Sequence, residues 1–505
     1  MRRSATRLWL ALIGFAPALA AQAPTPSTLS PAPVLLPFPK GRVAERLRSL
    51  ADSTEEYAVY LPSKYSADQR WPLLLIMDPR GRALIPLNRV VEVAERLGYI
   101  AISSYNSRSD EAIDPNADAI NAILRDADRL LSVDPHRIYL VGQSGTARAS
   151  WVFGAQLKGN VAGLIGFGAA LPRGYEVPAR EPGTAPAMVF YGAAGTTDFN
   201  FDEMLPLDTL LDRVNLPHRI GWFPGPHAWP EADVFADAVE WVELMAMKFG
   251  LKPTDQRWVD STYQVELDEG KAREASGDPY GAWRIYRNLA ADYAGMVEVA
   301  AASARKSNLG ESQAVKQASR RLGEIVQQQL AYNRKLGTFL YEFRGATPPS
   351  IDESLRRLEL RELQRRAANG KDSMDAWAAT RSLDNIWAYV SFYEPQDYLA
   401  AGNAGHALAI LGIAQVMRPN SADVCYQRAR ALMTLDRGAE AIDAVECLVR
   451  SGVPMERIQK DPLLAGVRKL LASRTGGAAS PPGAKASKTG QRRRWTGPGD
   501  YAGGN

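Results

Sequence analysis

Between about residue 55 and residue 250, short apolar runs alternate with segments whose apolar residues fall at helical spacing. The runs are Tyr57–Leu61, Pro72–Met77, Tyr99–Ile102, Ile138–Val141, Leu164–Phe167, Ala187–Tyr191 and Arg219–Phe223, with helical patterns at Pro86–Leu97, Asn116–Leu131 and Ala232–Met247. A short run that stays apolar on successive residues suits a strand buried on both faces, and a helix between two strands lets them lie parallel. Residues 41–250 are therefore predicted to form an α/β unit, a mostly parallel sheet covered by helices.

After Gly250 the strand-like runs stop, and an Ala-, Leu-, Arg- and Glu-rich helical pattern continues to about Ala472. Residues 251–472 thus read as an all-helical region. Within it Ala407, Leu411 and Ala414 recur as Ala441, Val445 and Leu448, a spacing of 34 residues (407 to 441). Gly270, Ala282, Tyr286 and Leu289 occupy comparable places in an earlier helical pair. This part resembles the tetratricopeptide family, although Ser391 and Cys425 stand where a large aromatic is expected early in each first helix. The resemblance implies stacked helical pairs that could shape substrate access, take a protein partner in their concave groove, or only stabilise the catalytic half. Any antiparallel helical hairpin would show the same Ala and Leu spacing.

The termini read differently. Arg2, Arg3 and Arg7 precede an apolar run, Leu8–Ala20, that ends in Ala18-Leu19-Ala20, the pattern of a cleaved export signal over residues 1–20. The run is shorter than the ~20 residues a bilayer span requires, and no later segment approaches that length without charges. An exported protein, periplasmic or secreted and without a membrane span, is expected. Residues 21–40 are rich in Pro, Ser and Thr and read as a linker, and residues 473–505, with Arg492, Arg493 and Arg494, as a disordered basic tail. Basic residues number 60 against 56 acidic ones, too even a balance to argue for nucleic acid as partner. Two cysteines cannot build a disulfide framework or a cysteine zinc module. Export would let Cys425 and Cys447 pair, and two buried thiols between helices is the other reading.

The chemistry concentrates in Gly142-Gln143-Ser144-Gly145-Thr146, where a strand runs through a tight turn into a helix with a serine at the tip. Such a turn lifts the Ser144 hydroxyl above the sheet, and the helix N-terminus behind it offers N–H groups to an oxyanion. With the Asp134-Pro135 lead-in, the segment resembles the α/β-hydrolase superfamily, in its secreted esterase and polyhydroxyalkanoate-depolymerase-like branch. The resemblance covers roughly residues 55–250. Thr146 stands where the family's last elbow glycine would be.

That resemblance implies partners in the order serine, acid, histidine. His136 precedes Ser144, His218 begins a strand and His406 lies among the helices, which leaves His227 in the loop Phe223–Pro230 as general base. The acid is expected at Asp198, just past the strand Ala187–Tyr191, with Asp202 and Glu203 as alternatives that equally well cap the next helix. For the oxyanion hole, the N–H of Gly145 would be joined by that of Arg80 or Gly81, since Pro79 has none and the family's His-Gly lead is missing from Met77–Arg82. Arg80 and Arg82 could also meet an acidic substrate group, and solvated surface arginines are the other reading. The sequence holds no phosphate-binding glycine loop and no metal-binding motif, so no cofactor or metal is implied. These features point to an exported serine hydrolase cleaving a carboxylic ester of a small molecule or polymer. A peptidase with the same triad, and an inactive hydrolase fold that binds partners through its helical repeats, remain alternatives.

Overall fold

The computed structural model describes residues 38–467, apart from 110–114, 158, 182, 371–372, 459 and 465. The export signal, most of the linker and the basic tail lie outside the described residues. Strands β1 (Val43–Arg48), β2 (Glu56–Tyr60), β3 (Trp71–Met77), β4 (Ile100–Ser104), β5 (Val133–Gln143), β6 (Val161–Phe167), β7 (Val189–Gly195) and β8 (His218–Phe223) form an eight-stranded sheet in the order β1-β2-β4-β3-β5-β6-β7-β8. The β1–β2 and β2–β4 pairs are antiparallel, and every pair from β4–β3 to β7–β8 is parallel. Each predicted run lies in or overlaps one of these strands. Strand β1 was not predicted, because its sequence VAERLR carries three charges and only part-buried or exposed residues along an edge.

Helices α1 (Leu84–Leu97), α2 (Asn116–Leu130), α3 (Gly145–Gln156), α4 (Met204–Arg213) and α5 (Ala232–Lys248) fill the crossovers and follow the last strand. Strand side chains alternate between two faces. Leu74 and Ile76 of β3 join Val141, Phe167 and the inner residues of α1 and α5 in one cluster, while Leu73 and Leu75, equally buried, face the other way. The architecture is a mostly parallel, helix-covered sheet followed by a large all-helical region.

That region comprises α6 (Gln256–Ala275), α7 (Pro279–Asp292), α8 (Ala300–Glu311), α9 (Gln313–Phe343), α10 (Ile351–Arg357), α11 (Leu360–Ala368), α12 (Met374–Ala388), a π-helical turn (Tyr389–Tyr393), α13 (Glu394–Ala400), α14 (Ala404–Met417), α15 (Ala422–Thr434) and α16 (Gly438–Arg450). Gly250, at φ 73°, ends α5, but the core does not stop there. Val259, Tyr263, Tyr286, Leu289, Tyr293 and Ala302 belong to the same apolar cluster as α5. Charges reinforce the junction: Arg219 of β8 meets Glu266 at 3.1 Å and Asp292 at 2.7 Å, and Arg287 holds Asp208 of α4 through two 2.7 Å bonds. The recurring positions Ala407, Leu411, Ala414, Ala441, Val445 and Leu448 are all fully buried on α14 and α16. Cys425 of α15 and Cys447 of α16 form a disulfide, so of the two readings of these residues the structure carries the paired one. Among the described residues no helix is long and apolar enough to cross a membrane.

Candidate active site

Strand β5 ends at Gln143 and α3 begins at Gly145, leaving Ser144 alone at the bend with φ 56° and ψ −127°. A non-glycine residue pays strain for such a backbone, and the surroundings hold it there. The Ser144 N–H donates to the Phe167 carbonyl at the end of β6 (2.8 Å). At Gly142 a Cβ would stand 2.6 Å from the Thr146 and Ala147 backbone, so only glycine lets the strand and helix pass this closely. Gly145 is likewise closed to a side chain by Ser109. Thr146 proves to be a strut. Its buried hydroxyl accepts from the Gln143 N–H (3.0 Å) and lies 2.6 Å from the Met77 carbonyl, tying the elbow to the end of β3.

The loops after β6, β7 and β8 arrive at the same strand ends, the edge where open parallel sheets present their ligand sites. Asp198, fully buried, accepts on Oδ1 from His227 Nδ1 (2.8 Å) and from the Asn200 N–H (2.8 Å). An Nδ1–H directed at the carboxylate leaves the Nε2 lone pair free to take a proton. The Phe199 ring packs 4.2 Å from the imidazole. Gly168 backs the pair: a Cβ there would lie 2.6 Å from Asp198 Oδ2 and 3.1 Å from the His227 ring. The two loops are stitched together by the Thr197 N–H and hydroxyl, both donating to the Gly225 carbonyl (2.9 and 2.8 Å).

The two alternative acids are engaged elsewhere. Glu203 accepts from Arg148 (2.7 Å) and from the Ala170 N–H (2.9 Å). Asp202 accepts from Asn333 of α9 (3.1 Å), and burial, with Glu203's charge adding to it, pushes its carboxyl up to about 7. A carboxyl raised in this way keeps its proton in the folded state where the unfolded chain has released it. Stability is therefore lost as the pH rises from about 4 to about 7 and stays lower above. Asp202→Asn, which never ionises, is expected to flatten this slope and to melt a few degrees above the wild type at pH 8, a gain of ~1–2 kcal/mol. Thermal melts of both proteins from pH 4 to pH 8 check it, and parallel curves would refute it.

The expected oxyanion donors fare differently. The Arg80 N–H donates to Asp78 Oδ1 (2.8 Å) and the Gly81 N–H to the Asp78 carbonyl (3.1 Å), so the loop after β3 spends both groups on its own turn. Of the three residues named for that role, Gly145 is left at the first position of α3, where an N–H has no partner within the helix. Arg82 pairs its guanidinium with the same Asp78 (3.0 Å).

Asp78 belongs to no motif of the sequence. It also accepts from the indole of Trp229, two residues past His227 (2.7 Å). Burial opposes its charge, yet Arg82 and the surrounding N–H groups hold its carboxyl below the usual carboxylate range. One buried carboxylate thus joins the β3 loop to the histidine loop. The other unforeseen contributions come from the helical region. The Arg80 guanidinium lies 5.4 Å over the ring of Phe392 in the π-helical turn. Asp384 of α12 pairs with Arg418 (2.9 Å); burial raises its carboxyl, the charge of Asp198 adds to this, and Arg418 and His227 oppose it. A cavity of about 390 Å³ is shared by the Asp198 loop and the helices, lined by Phe199, Asp202, Asn333, Leu340, Asn385 and Tyr389. Another, of about 350 Å³, opens at the opposite strand ends around His136, Val161 and Val189, away from these groups.

No protein-family model and no curated protein sequence matches the chain. Solved structures with a similar fold include the S-formylglutathione hydrolase of Staphylococcus aureus, 12% identical over 40% of this chain and 99% of that one, with a TM-score of 0.32. A ferulic acid esterase is 14% identical over 40% of this chain and 97% of its own, with a TM-score of 0.34. Esterase B of Lactobacillus rhamnosis is 14% identical over 41% and 86%, with a TM-score of 0.31.

Proposed function

We propose that the protein is an exported serine hydrolase that cleaves a carboxylic ester. Ser144 attacks the carbonyl carbon as His227 takes its proton. The alcohol leaves with that proton, and water, deprotonated by the same imidazole, releases the acid from the acyl-enzyme. Asp198 holds the imidazole in the required tautomer and offsets the imidazolium charge. The Gly145 N–H, at the positive end of α3, meets the oxyanion. The observation that carries this reading is the 2.8 Å bond between buried Asp198 and His227, at the same sheet edge as a serine held in a strained turn. Export rests on the Leu8–Ala20 run and the small residues that end it.

The helical region stands against the same edge, with Phe392 over Arg80 and Asn333 on Asp202. These contacts favour a part in shaping the substrate pocket, and the tetratricopeptide-like stacking of α14–α16 serves to brace it. A fluorophosphonate probe tests the chemistry, because covalent labelling needs an activated serine. Labelling of the wild type is expected, with loss of at least ~10³-fold in rate in Ser144→Ala and His227→Ala. A folded wild type that takes no label overturns the reading.

A further inference from the structure

Behind the Asp198–His227 pair lies a buried cation that comes from neither the sheet nor its loops. Arg381, on α12, is 2% exposed. Its Nη1 donates to the carbonyl of Thr196 (2.7 Å), two residues before Asp198, and its guanidinium lies 4.6 Å over the ring of Phe201, three residues after. One side chain from the helical region therefore grips both ends of the turn that carries Asp198. A guanidinium taken out of water with a single carbonyl as acceptor is costly unless carboxylates stand near it. Two do: the fields of Asp202 and Asp198 both favour its charge, against a burial that lowers its own pKa to about 10. Asp198 Oδ2 and Arg381 Nε are both buried without a hydrogen-bond partner among the described residues, so the two groups interact through their charges rather than through a hydrogen bond.

We propose that Arg381 is the positioning residue of the acid in this site: its bond to Thr196 and its packing over Phe201 fix the turn that carries Asp198, and with it the direction in which the carboxylate meets His227. This rests on the serine-hydrolase reading above, and it makes the helical region a working part of the site. The alternative is that Arg381 serves Asp202 alone. The remaining charge facing the pair, Asp384, is paired to Arg418 and does not compete for Arg381.

The full-length protein tests this, with a p-nitrophenyl ester as substrate. Labelling of the wild type and its loss in Ser144→Ala are measured first, so that a failure of the hydrolase reading is told apart from a failure of Arg381's role. Arg381→Met is expected to lower kcat about 10- to 100-fold at a KM within about twofold, as loss of a group felt mainly in the transition state should. Arg381→Lys, which keeps the charge, is expected to recover most of the loss, and millimolar methylguanidinium to restore part of the rate of Arg381→Ala. Asp202→Asn serves as its own reference, and Arg381→Met should do the same damage in that background as in the wild type. An unchanged kcat in folded Arg381→Met overturns the proposal, as does an effect that disappears once Asp202 is Asn. Should Arg381→Met not fold, Arg381→Gln decides: a smaller kcat at constant KM upholds the role, and an intact kcat or a change in KM alone refutes it.

Discussion

A chain cut at Gly250 is expected to give insoluble or unfolded protein, although the sequence marks that glycine as a natural end for a hydrolase unit. Strand β8 lies at the edge of the sheet, where an unpaired row of N–H and C=O groups invites association. In the whole protein α7 closes part of that edge: Arg284 donates to the Ile220 carbonyl and lies 3.4 Å over the ring of Trp222. Removing α6 and α7 would also uncover the apolar surface of α5 and β8 that Val259, Tyr263, Tyr286 and Leu289 now cover, at roughly 1.5–3 kcal/mol for each large side chain returned to water. Arg219 and Asp208 would lose their counter-charges in the same step. Losses of this size are comparable to the whole net stability of an ordinary domain. Expression of residues 41–250, followed by gel filtration and circular dichroism, checks the expectation. A monomeric, cooperatively melting fragment would show that the junction is an interface between independent folds.

Most of the strands were legible because a parallel sheet buried on both faces leaves uninterrupted apolar runs, as in WPLLLIM of β3. The elbow was legible for a similar reason: Gly142 and Gly145 stand where the backbone leaves no room for a Cβ, and such constraints are written in single residues. Thr146 looked like a departure from that pattern, since the pattern specifies small size and says nothing of a hydroxyl that bonds back to Gln143. The fate of Arg80 and Gly81 was hidden because an N–H is present in every sequence, and what it donates to is settled by the fold of the turn. Asp78 had one visible signal, an aspartate before proline at the end of an apolar strand. Arg381, Asn333 and Asp384 had none: they sit more than 100 residues from Asp198 in a helical pattern rich in similar residues, and only packing brings them to it.

Asp198→Asn separates the charge at this position from its geometry. Both hydrogen bonds to the side chain end on Oδ1, so an asparagine can keep its oxygen there, with His227 and the Asn200 N–H still donating to it. Its amide would then take the place of Oδ2, which has no hydrogen-bond partner to lose. The imidazole keeps its tautomer in that arrangement, and what disappears is the negative charge that offsets the imidazolium as the proton leaves Ser144. A fall in kcat of about 10³- to 10⁴-fold is expected, with KM little changed, since charge at the acid acts in the transition state rather than on bound ester. The buried guanidinium of Arg381 would at the same time face an amide NH₂ group instead of a carboxylate, and a drop in melting temperature of several degrees should accompany the loss of rate. If Arg381 acts through Asp198, replacing it by methionine in the Asp198→Asn protein should cost little further rate and restore some of the lost stability. Steady-state kinetics and thermal melts of the four proteins close that cycle. Effects on kcat that multiply independently would mean that the two residues contribute separately, and that Asp198 is positioned by something other than the helical region.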